Sequence, residues 1–299
     1  MNRFVAVFSL ILLPCITTTL GYAQATRTWV SGVGSDANPC SRTAPCATFT
    51  GALGKTAAGG EISVLDPGDY GAVTIGKAII LDGDGVLAGI LVTGANGITV
   101  AAAPSDVVIL RSLSLVSTGS AVFHGINYQT GGVLVVENCS ISGFKGNGIN
   151  MSLSGSGNLI VRNTGLTGGA SGVYIDSTSG TVQAELDNVS IRGATNGLYA
   201  SYGTTNVSNS VLSQNATYGA LADGSGIITL LNDRLTGNGT AAEALAGGTI
   251  RLSNNDVFDN GSGLRCDGGI MFSAGNNRKG GNVAAGTPCV FSAPPISTQ

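Results

Sequence analysis

Beyond residue 130 the apolar residues alternate with polar ones in stretches of three to five, each cut short by Asn, Gly, Ser or Thr. Alternation with a period of two marks a strand buried on one face. Val133–Glu137, a bend at Asn138, Ser140–Ser142, a Gly-rich turn and Gly148–Ser152 make one set. Leu159–Arg162, Asn163, Gly165–Thr167 and Gly172–Asp176 repeat it. The bend asparagine returns as Asn138, Asn163, Asn188, Asn209, Asn232, Asn254 and Asn276, at separations of 25, 25, 21, 23, 22 and 22 residues. A repeat that short cannot bury its own apolar face and must stack on its neighbours as a solenoid.

Three strands per coil, stacked in register at about 4.8 Å, predict an all-β tube of three parallel sheets and about nine coils. Alternation places Leu134, Val136, Ile141, Ile149 and Met151 inside one coil. They lie above Leu159, Val161, Leu166, Val173 and Ile175, and then Leu186, Ile191, Leu198 and Ala200. The seven asparagines are expected to point inward as a structural ladder, each amide satisfying bend backbone and the next asparagine. An inward residue is a poor glycan acceptor, although Asn188-Val189-Ser190 has the sequon form.

The segment from Thr48 to Gly83 adds a second signal. A helix-like piece at Phe49–Leu53 precedes Gly59–Val64, the turn Asp66-Pro67-Gly68-Asp69-Tyr70, Val73–Ile75 and Ala78–Gly83. This series resembles the opening of right-handed parallel β-helix proteins of the pectin-lyase-like fold, and with the later coils the resemblance spans roughly residues 45–280. It implies that the helix caps the open N-terminal end. It implies no single activity, since lyases, hydrolases, epimerases, phage spikes and adhesins share the fold. A cap has its own physical reason, because an uncovered terminal coil exposes core and unpaired backbone.

Composition narrows the setting. Of 299 residues 47 are Gly and only 10% are charged, with a net charge of -3. That leaves no basic stripe for nucleic acid. Met1-Asn2-Arg3 followed by apolar Phe4–Leu13 and Ala23-Gln24-Ala25 reads as a secretory signal peptide over residues 1–25. Pro14 before Cys15 fits a lipid-attachment box poorly, and no later stretch has the length of a membrane span. The expected organisation is an N-terminal cap over 26–57, the β-helix over 58–280 and a C-terminal cap or tail over 281–299. The expected location is secreted, periplasmic or extracellular. There the cysteines pair as local staples, Cys40–Cys46 and Cys266–Cys289, leaving Cys139 as a small residue tucked into a coil.

Linear catalytic motifs are missing. No Asp-Asp pair or lyase-like Arg-x-Pro occurs, and the one histidine sits in Phe123-His124-Gly125. Asp66 and Asp69 read as turn residues. Glu137, Arg162 and Asp187 precede successive bend asparagines and predict an outward acid-base-acid column, either a salt-bridge ladder or a proton-abstracting arginine between two acids. The strand that opens with a Gly-apolar pair is more suggestive. Its outward positions supply His124, Asn150, Tyr174, Asp176, Tyr199, Tyr202, Tyr218 and Asp223 as candidate ligand-binding residues. Aromatic faces beside amides and carboxylates suit a sugar ring. The leading expectation is a non-catalytic protein binding a polysaccharide or other extracellular surface. A polysaccharide lyase or glycoside hydrolase with a diverged site is the alternative, and a structural stalk or adhesin, trimeric if so, the third. No cofactor or metal is expected, with Ca²⁺ entering only for a lyase.

Overall fold

A computed structural model describes residues 24–83 and 85–286. Apart from the helix Phe49–Leu53, its regular structure is strand. Among the described residues the strands form parallel sheets of eleven, ten and nine members. Val133–Glu137 lies in the first, Ser140–Ser142 in the second and Ile149–Leu153 in the third. Three consecutive strands thus complete a turn, and about nine turns build a right-handed parallel β-helix. Leu134 pairs with Leu159 and that with Ala184, so each inward position becomes a column down the tube. All fourteen aliphatic residues assigned to the core from alternation are buried.

The corners explain how so short a coil turns. Asn138, Asn163, Asn188, Asn209, Asn232 and Asn254 adopt φ between 49° and 60°, the left-handed region that asparagine tolerates better than most residues. The side chains lie outside, contrary to the inward ladder expected. Asn188 Nδ2 donates to Asn163 Oδ1 at 2.8 Å, Asn232 Nδ2 to Asn209 Oδ1 at 2.7 Å and Asn254 Nδ2 to Asn232 Oδ1 at 3.1 Å. The run breaks at Asn209, whose amide turns to Asp187 Oδ1 at 2.8 Å. At the last corner Asn276 Oδ1 accepts from Asn254 N. All seven asparagines are exposed.

The left-handed residue swings the next one inward, and there the buried polar column runs. It comprises Cys139, Thr164, Ser210, Asp233 and Asn255, interrupted by the apolar Val189 and ended by half-buried Asn277. Each side chain with an oxygen takes the backbone N–H of the coil before it, as Asn255 Oδ1 does from Asp233 N at 2.8 Å. Cys139 is buried in this column, and burial pushes its thiol up to about 11, the reverse of an activated nucleophile. A second amide column, of buried Asn215, Asn238 and Asn260 with half-buried Asn282 at its end, guards the next corner. A glycine column opens the strands of the nine-stranded sheet. A Cβ on Gly172 would meet Gly197 O at 2.8 Å and Ile191 Cγ2 at 2.1 Å.

The N-terminal end is closed by the helix. Thr48 accepts Gly51 N–H as N-cap, Phe49 and Ala52 are buried over the first coil, and Phe49 packs on Tyr70 with ring centroids 5.4 Å apart. A Cys40–Cys46 disulfide ties the preceding loop. The sheet starts earlier than the sequence suggested. Ala25–Val30, spanning the last residue of the expected signal segment and the start of the expected cap, is the first strand of the eleven-stranded sheet, because Thr28 and Val30 alternate inward. Cys289, the expected partner of Cys266, and nearly all of the expected signal segment and C-terminal tail lie outside the described residues. No helix among the described residues is long and apolar enough to cross a membrane.

Candidate functional site

The outer face of the nine-stranded sheet changes character along its length. One outward column runs Thr99, Asn127, Asn150, Tyr174, Tyr199, Leu221, Glu243 and Arg265 in continuous register. The amide section is closed on itself. Asn150 Nδ2 donates to Asn127 Oδ1 at 2.9 Å, Asn147 Nδ2 to Asn150 Oδ1 at 2.8 Å, and Asn127 and Asn150 are buried. Asn150 is therefore a structural amide, not a surface ligand.

The middle section is different. Tyr174 and Tyr199 sit on successive rungs, half-buried, with ring centroids 5.0 Å apart and planes at 61°. Their hydroxyls are held. Tyr199 Oη donates to Asp223 Oδ2 at 2.8 Å, Tyr174 Oη lies 3.3 Å from Ser201 Oγ, and Ser201 Oγ donates to Asp176 Oδ1 at 3.0 Å. Burial raises both phenols, and for Tyr199 the Asp223 carboxylate adds to it, so both remain neutral donors at ordinary pH. Asp223 Oδ1 is buried without a hydrogen-bond partner. Asp176 and Asp223 stand two rungs apart, about 10 Å by sheet spacing. That backbone spacing is wider than the one-rung spacing a retaining glycosidase pair, with carboxyl groups about 5 Å apart, would need.

In the far section Arg265 falls on the outward face as its place in the strand predicts, but Glu243 was not seen in the sequence. Glu243 follows Leu221 in register and is 2% exposed. Arg265 Nη1 stands 3.3 Å from Glu243 Oε2, close enough for charge pairing but off the line of a hydrogen bond. Burial raises the Glu243 carboxyl and Arg265 counters it. Tyr218 lies in the same field, its phenol raised first by burial and then by Glu243. Glu243 was hidden because its coil opens with Ala241-Ala242 where the others carry Gly and an apolar residue. Counting 22 residues on from Leu221 would have found it.

Two candidates belong elsewhere. Tyr202 is in the turn after the strand Asn196–Ala200, donating to Gly180 O at 3.0 Å. His124 lies before the strand Ile126–Thr130, inside a corner ladder. Its N–H donates to Asn96 Oδ1 at 2.8 Å, and its Nδ1 accepts Asn147 N–H at 2.9 Å. It does the work of an asparagine, which fixes a neutral ring protonated on Nε2. Burial lowers its pKa. A histidine whose folded pKa is depressed contributes stability that is present above its ordinary value near 6.5 and lost as pH falls through the folded one. Replacing His124 with Ala should cost about 1–3 kcal/mol at neutral pH by orphaning the Asn147 amide. His124→Asn should recover most of that loss and flatten the acid limb of a thermal-denaturation pH series. Equal losses in the two variants would refute the ladder role.

The charged column on the eleven-stranded sheet is longer than the sequence indicated. Asp82, Arg111, Glu137, Arg162 and Asp187 are successive partners. Arg111 reaches Asp82 and Glu137, each at 3.5 Å, and Arg162 reaches Glu137 at 3.5 Å. Arg162 then bonds Glu185 at 3.1 Å, while Asp187 is held by Ser208 and Asn209, which lower its pKa. Alternating charges at partial exposure act as register keys worth little each. Among the described residues no group of three or more His, Cys, Asp or Glu is arranged to hold a metal ion.

Residues 171–287 match the family described as right handed beta helix region. Among solved structures, a crystal structure of pectate lyase Pel9A aligns over 93% of this chain and 82% of its own, with TM-score 0.55 and 14% identity. The A-module of mannuronan C-5 epimerase AlgE6 from Azotobacter vinelandii aligns over 78% of this chain and 88% of its own, with TM-score 0.43 and 11% identity. No curated protein matches the chain. The fold is that of the pectin-lyase-like right-handed parallel β-helices.

Proposed function

We propose, from that fold as premise, that the protein binds an extended polysaccharide on the outer face of the nine-stranded sheet without turning it over. The observation that carries this reading is the Tyr174–Tyr199 pair. Two rings clamped by their own hydroxyl bonds offer apolar surface with little side-chain entropy left to lose. Asp176, Ser201 and the Asp223 oxygen that holds Tyr199 lie beside them as acceptors for sugar hydroxyls. The Cys40–Cys46 disulfide agrees with a location outside the cytosol. One neighbour of the same fold is a pectate lyase, so acidic polysaccharides head the test panel.

Changing Tyr174 and Tyr199 together to Ala should weaken retention in affinity electrophoresis at least about tenfold, as expected for two stacking contacts. Unchanged mobility on every retained polysaccharide would remove the strip from consideration. A second reading has its own support in Glu243, a buried acid with a raised pKa beside Arg265. Reducing-end and unsaturated-product assays, with and without Ca²⁺, separate the two. Turnover that Glu243→Gln abolishes would replace binding by catalysis, and absence of retention altogether would favour a structural stalk.

A further inference from the structure

The outer face of the eleven-stranded sheet carries a feature that the tyrosine strip does not involve. At its N-terminal end lies a depression of about 280 Å³ lined by Trp29, Arg27, Arg42, Ser63 and Asp82, with the chain of Val64 and Leu65 at its margin. Register explains the hollow. Trp29, Ser63, Asp82 and Arg111 are successive partners in one outward column. The short Ser63 side chain therefore forms a floor between the indole on one side and the Asp82–Arg111 pair on the other. Trp29 and Asp82 are two rungs, about 10 Å, apart, which is room for one ring.

The walls are chemically unequal. Arg27 is fixed, with Nη2 2.8 Å from Glu61 Oε1, Nε donating to Ser63 Oγ at 3.0 Å, and its guanidinium 5.6 Å from the Trp29 ring centroid. Glu61 neutralises it. Asp82 is paired with Arg111 at 3.5 Å. Arg42 is exposed, has no ion-pair or hydrogen-bond partner among the described residues, and projects from the loop that the Cys40–Cys46 disulfide closes. Ser63 Oγ is engaged between Arg27 and Glu61, to whose Oε1 it donates at 2.6 Å. The site thus combines an aromatic face, the Asp82 carboxylate as an acceptor for sugar hydroxyls, and one uncompensated guanidinium.

We propose that this depression binds a single anionic sugar residue, its ring against Trp29 and over Ser63, its hydroxyls at Asp82, and its carboxylate or sulfate on Arg42. A volume just below the range of about 300–1,000 Å³ for pockets that enclose a whole small molecule restricts it to one ring of a chain. The site is separate from the tyrosine strip and stands or falls without it.

Trp29 is the chain's one tryptophan, so indole emission reports on this site alone. The protein is titrated with a hyaluronan tetrasaccharide (carboxylate), a chondroitin sulfate disaccharide (sulfate and carboxylate) and cellotetraose (neutral). A saturable emission change with an acidic probe, weakened by salt and absent with cellotetraose, is expected. Arg42→Gln should weaken it at least about tenfold, the loss of one charged contact, while its circular dichroism stays unchanged. Tyr174→Ala should leave it intact, which separates failure here from failure of the strip. No emission change with either acidic probe, an equal response to cellotetraose, or undiminished binding by folded Arg42→Gln would each overturn the proposal.

Discussion

Replacing Asp233 with Asn is expected to stabilise the protein at pH 8 by roughly 2–3 kcal/mol and to do nothing favourable at pH 4. Asp233 occupies the buried column just inside the corners, where other coils carry Asn255, Thr164 or Ser210. Its Oδ1 accepts Ser210 N–H at 2.8 Å and its Oδ2 accepts Leu231 N–H at 2.9 Å. Burial nevertheless dominates and pushes its carboxyl up to about 7, against an ordinary 3.8. The folded pKa exceeds the unfolded one, so the fold prefers the protonated acid. That contribution is complete below about 3.8 and is lost as pH rises through about 7. Each pH unit between the two values is worth about 1.4 kcal/mol, which puts the full loss near 4 kcal/mol.

An amide at 233 removes that dependence. Its oxygen keeps the Ser210 N–H, and its nitrogen, turned away from the Leu231 N–H as Asn255 Nδ2 is turned to Leu230 O at 2.9 Å, would aim at the carbonyl of Val207, the register partner of Leu230. Losing the acceptor for Leu231 N–H offsets about 1 kcal/mol. Thermal or urea denaturation across pH 4–8 decides the matter. Identical pH profiles for the two proteins would mean that Asp233 stays charged, and the burial argument would fail.

Most of the architecture was legible because a period of some two dozen residues is also a register. Glu137 was placed beside Arg162 from numbering alone, and the two are paired. What stayed hidden shares one physical cause. The reading keyed on asparagine at the corner and on glycine at the strand start, but geometry selects conformation, and other residues can supply it. Ser112 takes φ 56° at an earlier corner, so the preceding members of the charged column, Asp82 and Arg111, were missed. Ala241 stands in the glycine column and concealed Glu243. His124 fills an asparagine's place in a corner ladder through Nδ1, which no residue-type pattern announces. The direction of the asparagines failed for the same reason. A left-handed bend sends its own side chain out and its neighbour in, which alternation along a strand does not describe.

That distinction between two amide columns yields the largest loss. Asn238→Leu should destabilise the protein by about 3–5 kcal/mol and should split one unfolding transition into two. Asn238 is buried, its Oδ1 accepting from Asn215 N at 3.0 Å and Asn215 Nδ2 at 2.9 Å, its Nδ2 donating to Leu212 O at 2.9 Å and Asn260 Oδ1 at 3.0 Å. Leucine matches its shape but orphans a buried backbone N–H and a buried amide hydrogen, each costing about 1–3 kcal/mol. A solenoid's stability is a sum of rung and nearest-neighbour terms, so the break uncouples the coils that follow. Hydrogen exchange should then show residues 240–280 losing protection before residues 98–200. The comparison is Asn232→Gly in the exposed column. It keeps the φ of 60° and loses only bonds that water can replace, with an expected cost of about 1 kcal/mol or less. If Asn232→Gly proved the more damaging change, the rungs would be held from outside, and the inner columns would be packing alone.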